Sequence, residues 1–300
     1  MSLAPRAVLV HRRTEYEELL ERHGTHGQAA FFLSTRGQSI EEVAERHARN
    51  RRAISDVAGA VPLQWRRTRV ERADLDRFLF APEDVVLVVG QDGLVANAAK
   101  YLSGRPVIGI DADPGRNPGV LVRHRAADTA ALCRAAVAPG DRTEALTMVE
   151  AVADDTQRLL ALNEIYLGPP GHQTARYRIR PDGAAPVAEE PQASSGVLVG
   201  TGTGATGWLR SLWTERGSTL RLPGPADPRL LWFVREAWPS PATGTALVAG
   251  ELGRGDGLAL TVESDRMVVF GDGVESDALE LTWGQSVRLA ISPTSLDLVV

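Results

Sequence analysis

A carboxylate between two glycines directly follows a run of five aliphatic residues. Val85–Val89 is followed by Gly90, Gln91, Asp92 and Gly93, and a predicted helix comes next. Glycine lets the backbone approach a phosphate closely, and the N–H groups at a helix start attract anions. A carboxylate repels phosphate, so Asp92 is better suited to orient a hydroxyl, accept its proton or hold a cation in phosphoryl transfer. A tight strand-to-helix turn without a ligand is the competing interpretation, because Asp-Gly pairs are common in turns.

A second candidate is the polar pair Asn163-Glu164, which interrupts the apolar run Leu159–Leu167. We predict this run as one strand, in which adjacent residues face opposite sides. One of the two polar side chains should therefore face the interior, where it needs a hydrogen-bonding partner. A ligand with hydroxyl or amino groups would supply that partner, and a neighbouring loop would do so equally well.

The third candidate is a loop of small and hydroxyl-bearing residues after a predicted strand at Gly196–Val199. Its members are Thr201, Gly202, Thr203, Gly204, Ala205, Thr206, Gly207 and Trp208. Such residues leave the backbone open and offer uncharged donors, which suits the ribose and phosphates of a nucleotide. A short helix is predicted from Trp208 to Trp213, and this tight placement between strand and helix favours a ligand site over a flexible linker.

Strands and helices alternate in the first half of the chain. The predicted strands are Val8–Val10, Val61–Trp65, Val85–Val89 and Val107–Ile110. This alternation predicts an α/β domain with an open parallel sheet. Thr14 and Ser39 each begin a helix with a capping-box pattern. Arg46, Arg49, Arg51 and Arg52 form a basic cluster on the second of these helices. We interpret this cluster as a solvated face, with contact to phosphates or an anionic partner as the alternative.

The second half of the chain carries short alternating runs separated by Gly, Asp and Pro, which predict a mostly antiparallel β domain. Asp256-Gly257 and Asp272-Gly273 are predicted as hairpin turns, and a position of Asp272 at a ligand cleft is an alternative that we do not adopt. We place the boundary near Pro139-Gly140. The prediction is therefore an α/β nucleotide-binding domain at residues 1–139 and a β-rich substrate-binding domain at residues 140–300.

Composition excludes several classes of function. A formal net charge of −5 and an aromatic content of 5% argue against nucleic-acid binding. Cys133 is the only cysteine, which excludes a disulfide framework and a multi-cysteine zinc site, and we predict no metal-ligating residues. The sequence has no bilayer-spanning apolar stretch and no signal-peptide pattern. We therefore expect a cytoplasmic protein without a membrane partner.

Five segments, in order along the chain, resemble motifs of the NAD kinase family and most closely its mitochondrial type. They are Gly90–Leu94, Pro106–Pro114, Ala161–Ile165, the Ser194-Ser195-Gly196 to Thr201–Gly204 segment, and Val234-Arg235-Glu236. The resemblance implies an α/β domain followed by a β-rich domain, with the substrate between them. It also implies transfer of the ATP γ-phosphate to the adenosine ribose 2′-hydroxyl of NAD, giving NADP.

The resemblance further implies a role for each candidate residue. Asp92 would orient or deprotonate the hydroxyl, Gly90 and Gly93 would lie against phosphates, and Asn163 and Glu164 would hold the nucleoside. The remaining pocket residues would be Thr201, Thr203, Gly204, Thr206, Gly207 and Trp208. Mg²⁺ would accompany ATP, the partners would be small-molecule nucleotides, and the protein would be a homodimer.

Two alternatives to an NAD kinase remain open. A related kinase acting on a lipid or another alcohol would share the same architecture. A dinucleotide sensor without catalysis would fit Gln91 and Leu94, which stand where the family motif has glycine and threonine.

Overall fold

The structure, a computed structural model, describes residues 4–116, 119–138, 142–154, 156–183 and 188–300. The helices are α1 (Glu15–His23), α2 (His26–Ser34), α3 (Ile40–Ala60), α4 (Asp92–Ala99), α5 (Thr129–Ala136) and α6 (Trp208–Glu215). The strands are β1 (Arg6–His11), β2 (Arg66–Glu71), β3 (Asp84–Gly90), β4 (Pro106–Asp111), β5 (Thr143–Leu146), β6 (Val149–Ala153), β7 (Arg158–Ala161), β8 (Glu164–Gly168), β9 (Ala175–Asp182), β10 (Glu190–Ser194), β11 (Val197–Gly200), β12 (Leu230–Val234), β13 (Ala249–Leu252), β14 (Gly257–Val262), β15 (Met267–Gly271), β16 (Val274–Leu281), β17 (Ser286–Ile291) and β18 (Leu296–Val299).

The chain divides into two compact units, one of Met1–Glu144 with Asp297–Val300 and the other of Ala145–Leu296. The predicted boundary at Pro139-Gly140 lies outside the described residues. The predicted β-rich domain runs to residue 300, whereas β18 joins the sheet of the first unit. A four-residue apolar strand carries no local signal for which sheet it will complete.

The first unit is built on a sheet with the order β2-β1-β3-β4-β18-β5. The pairs β1–β2, β1–β3, β3–β4 and β4–β18 are parallel. Every residue of β3 is buried, as expected for a strand covered on both faces of a parallel sheet. The predicted open parallel α/β sheet is therefore confirmed.

Local hydrogen bonds set where the first helices begin. Thr14 and Glu17 form a complete capping box at the start of α1, and the helix ends at Gly24, whose φ is +79°. The Ser39 side chain accepts the backbone N–H groups of Glu41 and Glu42 and so begins α3. These predicted helix starts are confirmed because each depends on residues only two or three positions apart.

The strand predicted at Val61–Trp65 is wrong, and the observed strand is β2 at Arg66–Glu71. Pro62 instead forms a turn in which its carbonyl accepts the Trp65 N–H at 3.0 Å. β2 lies at the sheet edge, where one side borders no other strand. An edge strand tolerates the charged sequence Arg66-Arg67-Thr68-Arg69, which a pattern search for apolar runs misses.

The second unit contains two six-stranded sheets, with orders β10-β9-β14-β17-β6-β7 and β13-β12-β11-β8-β15-β16. The pairs recorded within both sheets are antiparallel. Side chains from both sheets form one apolar core, which includes Tyr177, Trp232 and Met267. The predicted mostly antiparallel β architecture is confirmed.

Two details predicted for the second half are wrong. The run Leu159–Leu167 is not one strand, because it is divided into β7 and β8, which belong to different sheets. The Asp256-Gly257 turn likewise joins β13 to β14 in different sheets, so it is not a hairpin. In both places the chain passes from one sheet to the other. This change depends on tertiary packing, and the spacing of apolar residues in the sequence does not reveal it.

Candidate functional site

A cavity of about 240 Å³ lies at the carboxyl ends of adjacent parallel strands in the first unit. Its lining combines residues that follow β1, β3 and β4 with residues of α3. The lining is Arg12, Arg13, Thr14, Glu15, Val43, Arg46, His47, Asn50, Gly90, Gln91, Ala112, Asp113 and Arg116. This edge is where open α/β sheets bind ligands. We call this cavity the arginine pocket.

Positive charge predominates in the arginine pocket, which is lined by four arginines against Glu15 and Asp113. The Arg46 guanidinium lies 2.6 Å from Glu15, and Asp113 lies 2.7 Å from Arg49 outside the lining. Arg12 and Arg116 form no ion pair within the described ranges. A cavity with this charge and a glycine at its edge is suited to a phosphate group.

Asp92 makes contacts that the sequence analysis did not anticipate. Its Oδ1 accepts the backbone N–H groups of Leu121 at 2.8 Å and Val122 at 2.9 Å, and its Oδ2 accepts that of Val120 at 2.8 Å. A carboxylate has about four acceptor positions, so one position on Oδ2 remains for another donor. Asp92 therefore fixes the segment 120–122, and these bonds leave one acceptor position of its Oδ2 unused, although Asp92 is not among the residues that line the arginine pocket.

The other loop residues divide between the pocket and the surface. Gly90 lines the arginine pocket, and a Cβ there would lie 3.0 Å from the Leu94 side chain. Gly93 is exposed, and a Cβ there would meet nothing within 4 Å, so packing does not require this glycine. The exposed side chain of Gln91 also lines the pocket, and it makes no capping bond to α4.

In the second unit, the chain passes from β7 to β8 at Leu162–Glu164. Two side chains, Asp272 and Thr201, form hydrogen bonds with the backbone of this segment. The Asp272 carboxylate accepts the N–H groups of Leu162 at 2.8 Å, Asn163 at 2.7 Å and Glu164 at 3.4 Å. The Thr201 hydroxyl donates to the Leu162 carbonyl at 2.5 Å, and the Thr201 N–H donates to the Asn163 carbonyl at 2.9 Å. The second and third candidate segments are thus brought together, as the resemblance implies.

Glu164 is the most strongly perturbed acid of this cluster. Burial, followed by the negative charge of Asp272, raises the pKa of Glu164 from 4.5 to about 8. Gly204 is needed beside it, because a Cβ there would lie 2.3 Å from the Asn163 carbonyl oxygen and 3.0 Å from Glu164 Oε2. The Thr203 side-chain hydroxyl is buried and has no hydrogen-bond partner among the described residues. We call Asn163, Glu164, Thr201, Thr203 and Gly204 the polar cluster.

An aromatic stack lies where the loop of the third candidate ends. Trp208 stacks on Tyr166 with ring centroids 5.5 Å apart, and the Arg235 guanidinium lies 5.5 Å from the Trp208 ring. Thr206 and Gly207 are exposed, and the Thr206 hydroxyl donates to the Thr203 carbonyl of the polar cluster at 2.9 Å. Trp208 is half-buried, so part of its ring packs against the protein and part is exposed to solvent.

Sequence reasoning missed Arg12, Arg46 and Asp272. The sequence pattern favours a solvated face for Arg46 and assigns no role to Arg12, whereas both line the arginine pocket. A usable signal existed for Arg12, which follows the buried strand β1 at its carboxyl end. For Asp272 the only signal was its place in an Asp-Gly turn, which does not reveal the backbone that the carboxylate will bind.

The raised pKa of Glu164 predicts a pH-dependent stability. The folded state holds this proton up to about pH 8, whereas the unfolded chain releases it near pH 4.5. The stabilising contribution is therefore complete below about pH 4.5 and is lost as pH rises through about 8, at about 1.4 kcal/mol per unit of pKa difference. Glu164→Gln stays uncharged, so its unfolding free energy should fall less between pH 6 and pH 9.

Urea unfolding at both pH values measures this difference, and Glu215→Gln is the matched control because Glu215 is exposed on α6. We expect the control to follow the wild-type dependence. Equal pH dependence in Glu164→Gln and the wild type would contradict a partly buried, protonated Glu164.

Comparison with known proteins identifies the fold. No protein-family model matches the chain, and no curated protein sequence matches it. Among solved structures, the chain is similar to an NAD kinase from Archaeoglobus fulgidus in complex with ATP. The TM-score is 0.58 at 16% sequence identity, over 98% of this chain and 93% of that one. At this identity the similarity shows a shared two-domain fold.

Proposed function

We propose that the protein is a phosphotransferase, and specifically an NAD kinase that uses ATP to phosphorylate the adenosine ribose 2′-hydroxyl of NAD. The arginine pocket is the observation that carries the proposal. It joins Gly90 to four arginines at the carboxyl ends of parallel strands, in a fold shared with an ATP-bound NAD kinase. Phosphoryl transfer depends on positioning and charge stabilisation, both of which such a pocket supplies.

In this proposal the arginine pocket holds phosphates of the donor. Arg12, Arg46 and Arg116 would neutralise the charge that develops on the transferred group. Thr14 and Gly90 would approach phosphate oxygens without adding negative charge. Within the described residues no group of three or more His, Cys, Asp or Glu is arranged to hold a metal ion. We therefore propose that Mg²⁺ arrives as the ATP complex, held mainly by the phosphates of the nucleotide.

Asp92 is proposed to orient the acceptor hydroxyl through the free position on its Oδ2. The three backbone N–H groups hold the carboxylate in one orientation, so a hydroxyl that donates to it would be fixed for attack on the γ-phosphate. As the bond from the hydroxyl oxygen to phosphorus forms, the bond from phosphorus to the ADP leaving oxygen breaks. The hydroxyl proton then passes to Asp92 or to solvent.

The polar cluster is proposed to hold the nucleoside of NAD. Thr203 offers a buried hydroxyl without a partner, and Glu164 is an uncharged donor at neutral pH. Such groups recognise the hydroxyl oxygens and ring nitrogens of a nucleoside. This observation favours a nucleotide over the lipid alternative, because a lipid acyl chain would leave buried polar groups unsatisfied.

Incubation of the purified protein with ATP, Mg²⁺ and NAD tests the proposal, with NADP measured by an NADP-specific dehydrogenase. We expect NADP to form. Arg46→Ala should raise the KM for ATP by about tenfold, equivalent to about 1.4 kcal/mol, because it removes a pocket charge and leaves Glu15 unpaired. Arg52→Ala is the matched control, since Arg52 is exposed on the same helix and lies outside the pocket.

The other outcomes separate the alternatives. NAD binding without NADP formation would support the dinucleotide sensor. Phosphorylation of diacylglycerol or another alcohol in place of NAD would support the related kinase. Absence of both NAD binding and ATP binding would contradict the proposal.

A further inference from the structure

The Asp272-Gly273 turn is built so that the Asp272 side chain faces backbone rather than solvent. Both residues have positive φ, +54° for Asp272 and +66° for Gly273, as a two-residue hairpin between β15 and β16 requires. β15 also pairs with β8, with Gly271 opposite Ile165. The turn therefore lies beside the start of β8, and the Asp272 N–H donates to the Glu164 carbonyl at 3.1 Å.

We propose that Asp272 is a positioning residue of the substrate site: its carboxylate fixes the backbone of Leu162–Glu164 and, in addition to the partial burial of the site, keeps Glu164 in its protonated, hydrogen-bond-donating form. The inference rests on the proposed function for the identity of the ligand, the nucleoside of NAD. The arrangement of the two carboxyl groups stands independently of that assignment.

The hydrogen bonds decide which of the two acids carries the proton. The Asp272 carboxylate accepts three backbone N–H groups at 2.7–3.4 Å, and each of these bonds is stronger when the acceptor is ionised. Two neighbouring carboxyl groups in a partly buried site do not both ionise readily, so the proton resides on the partner without such donors. That partner is Glu164.

The surroundings of Glu164 reinforce this assignment. Asp272 is the charged group of the described chain that acts on Glu164. The facing segment at Thr203-Gly204 is uncharged, and a Cβ on Gly204 would lie 3.0 Å from Glu164 Oε2. Because no cation of the described residues acts on Glu164, this side chain presents an O–H donor in the same polar cluster as the unpartnered Thr203 hydroxyl. Together they would recognise acceptor atoms such as ribose oxygens.

The test is the pH dependence of NAD binding, measured by calorimetry on the full chain between pH 6 and pH 9.5. We expect wild-type affinity to fall about tenfold for each pH unit above about 8, as Glu164 loses its proton. Asp272→Asn removes the neighbouring charge, so the midpoint should move to lower pH by about one unit. Glu164→Gln should abolish the dependence in both backgrounds. Asp256→Asn, in the other Asp-Gly turn, is the matched control.

A purely structural role for Asp272 gives a different result. Asp272→Asn would then weaken NAD binding by the same factor at every pH and leave the midpoint in place, which would overturn the inference. Should Asp272→Asn fail to fold, the Glu164 carboxyl of the wild type can be titrated directly by ¹³C NMR. A midpoint near pH 8 supports the inference, and a midpoint near 4.5 overturns it.

A ligand-free measurement separates this inference from the proposed function. The pH dependence of the unfolding free energy should move to lower pH in Asp272→Asn whether or not the protein binds NAD. Loss of NAD binding in the wild type, with that movement present, would reject the proposed function alone. Normal NADP formation, with the pH dependence of the unfolding free energy unchanged in Asp272→Asn, would reject the positioning role alone.

Discussion

Asp92→Asn should lower the rate of NADP formation by at least about 10²-fold, because a single general-base or orienting group contributes about that much. The amide keeps the size of the side chain but removes its charge. It also directs an NH₂ group at backbone N–H groups that now donate to Asp92, at Val120, Leu121 or Val122. The measurement is kcat with saturating ATP and NAD.

The unfolding free energy of Asp92→Asn separates chemistry from stability. Loss of one charged hydrogen bond and repulsion between two donors should reduce the unfolding free energy by about 1–3 kcal/mol. Asp56→Asn is the matched control, because Asp56 is an exposed residue of α3. A folded Asp92→Asn protein whose kcat stays within about threefold of the wild type would remove Asp92 from the mechanism.

Gly109→Ala should be the most destabilising single change in the first unit that adds only a methyl group. A Cβ at this position would lie 2.0 Å from the Leu121 carbonyl oxygen and 2.8 Å from its carbonyl carbon. A backbone carbonyl cannot rotate away from the added methyl group as a side chain can. The segment 120–124 would therefore have to move as a whole. We expect the unfolding free energy to fall by about 3 kcal/mol, the upper end for overpacking.

That movement should also reduce activity, because the displaced segment is the one that holds Asp92. The His124 N–H donates to the Gly109 carbonyl at 3.1 Å, so β4 and the Asp92-binding segment are directly joined. Gly59→Ala is the control, since a Cβ at Gly59 in α3 meets nothing within 4 Å. Alanine there should be neutral or stabilise the helix by up to about 1 kcal/mol. Urea unfolding compares the two, and equal stabilities would contradict the argument.

Much of the candidate site could be predicted at the level of segments. As predicted, Asp92 comes directly after a buried strand, since β3 ends at Gly90 and α4 begins at Asp92, and the Asn163-Glu164 segment and Thr201 are bonded to one another. What failed was the division of Leu159–Leu167, because an apolar run does not show where the chain leaves one sheet for another. The polar pair there was a sign of that crossing, with Asp272 supplying the hydrogen bonds that a continuous strand would have received from its neighbour.

The arginine pocket illustrates the same limit. Arg46 belongs to a helix whose face looks solvated in isolation, and its ion pair with Glu15 joins residues 31 positions apart. Only the packing of α3 on the sheet brings Arg46 to the edge that contains Gly90. A helical pattern predicts which face of the helix carries a residue. It does not predict which other element that face will contact.

By itself the amino-acid sequence determined the features whose interactions lie within a few residues: the buried strand β3, the caps of α1 and α3, the glycine-flanked Asp92 and the helix that begins at Trp208. The tertiary structure alone decided what each acid faces. Asp92 binds N–H groups 28–30 positions away, and Asp272 binds N–H groups 108–110 positions away. The physical reason is that a carboxylate takes its role from the donors and charges around it, and those are assembled only when distant strands pair.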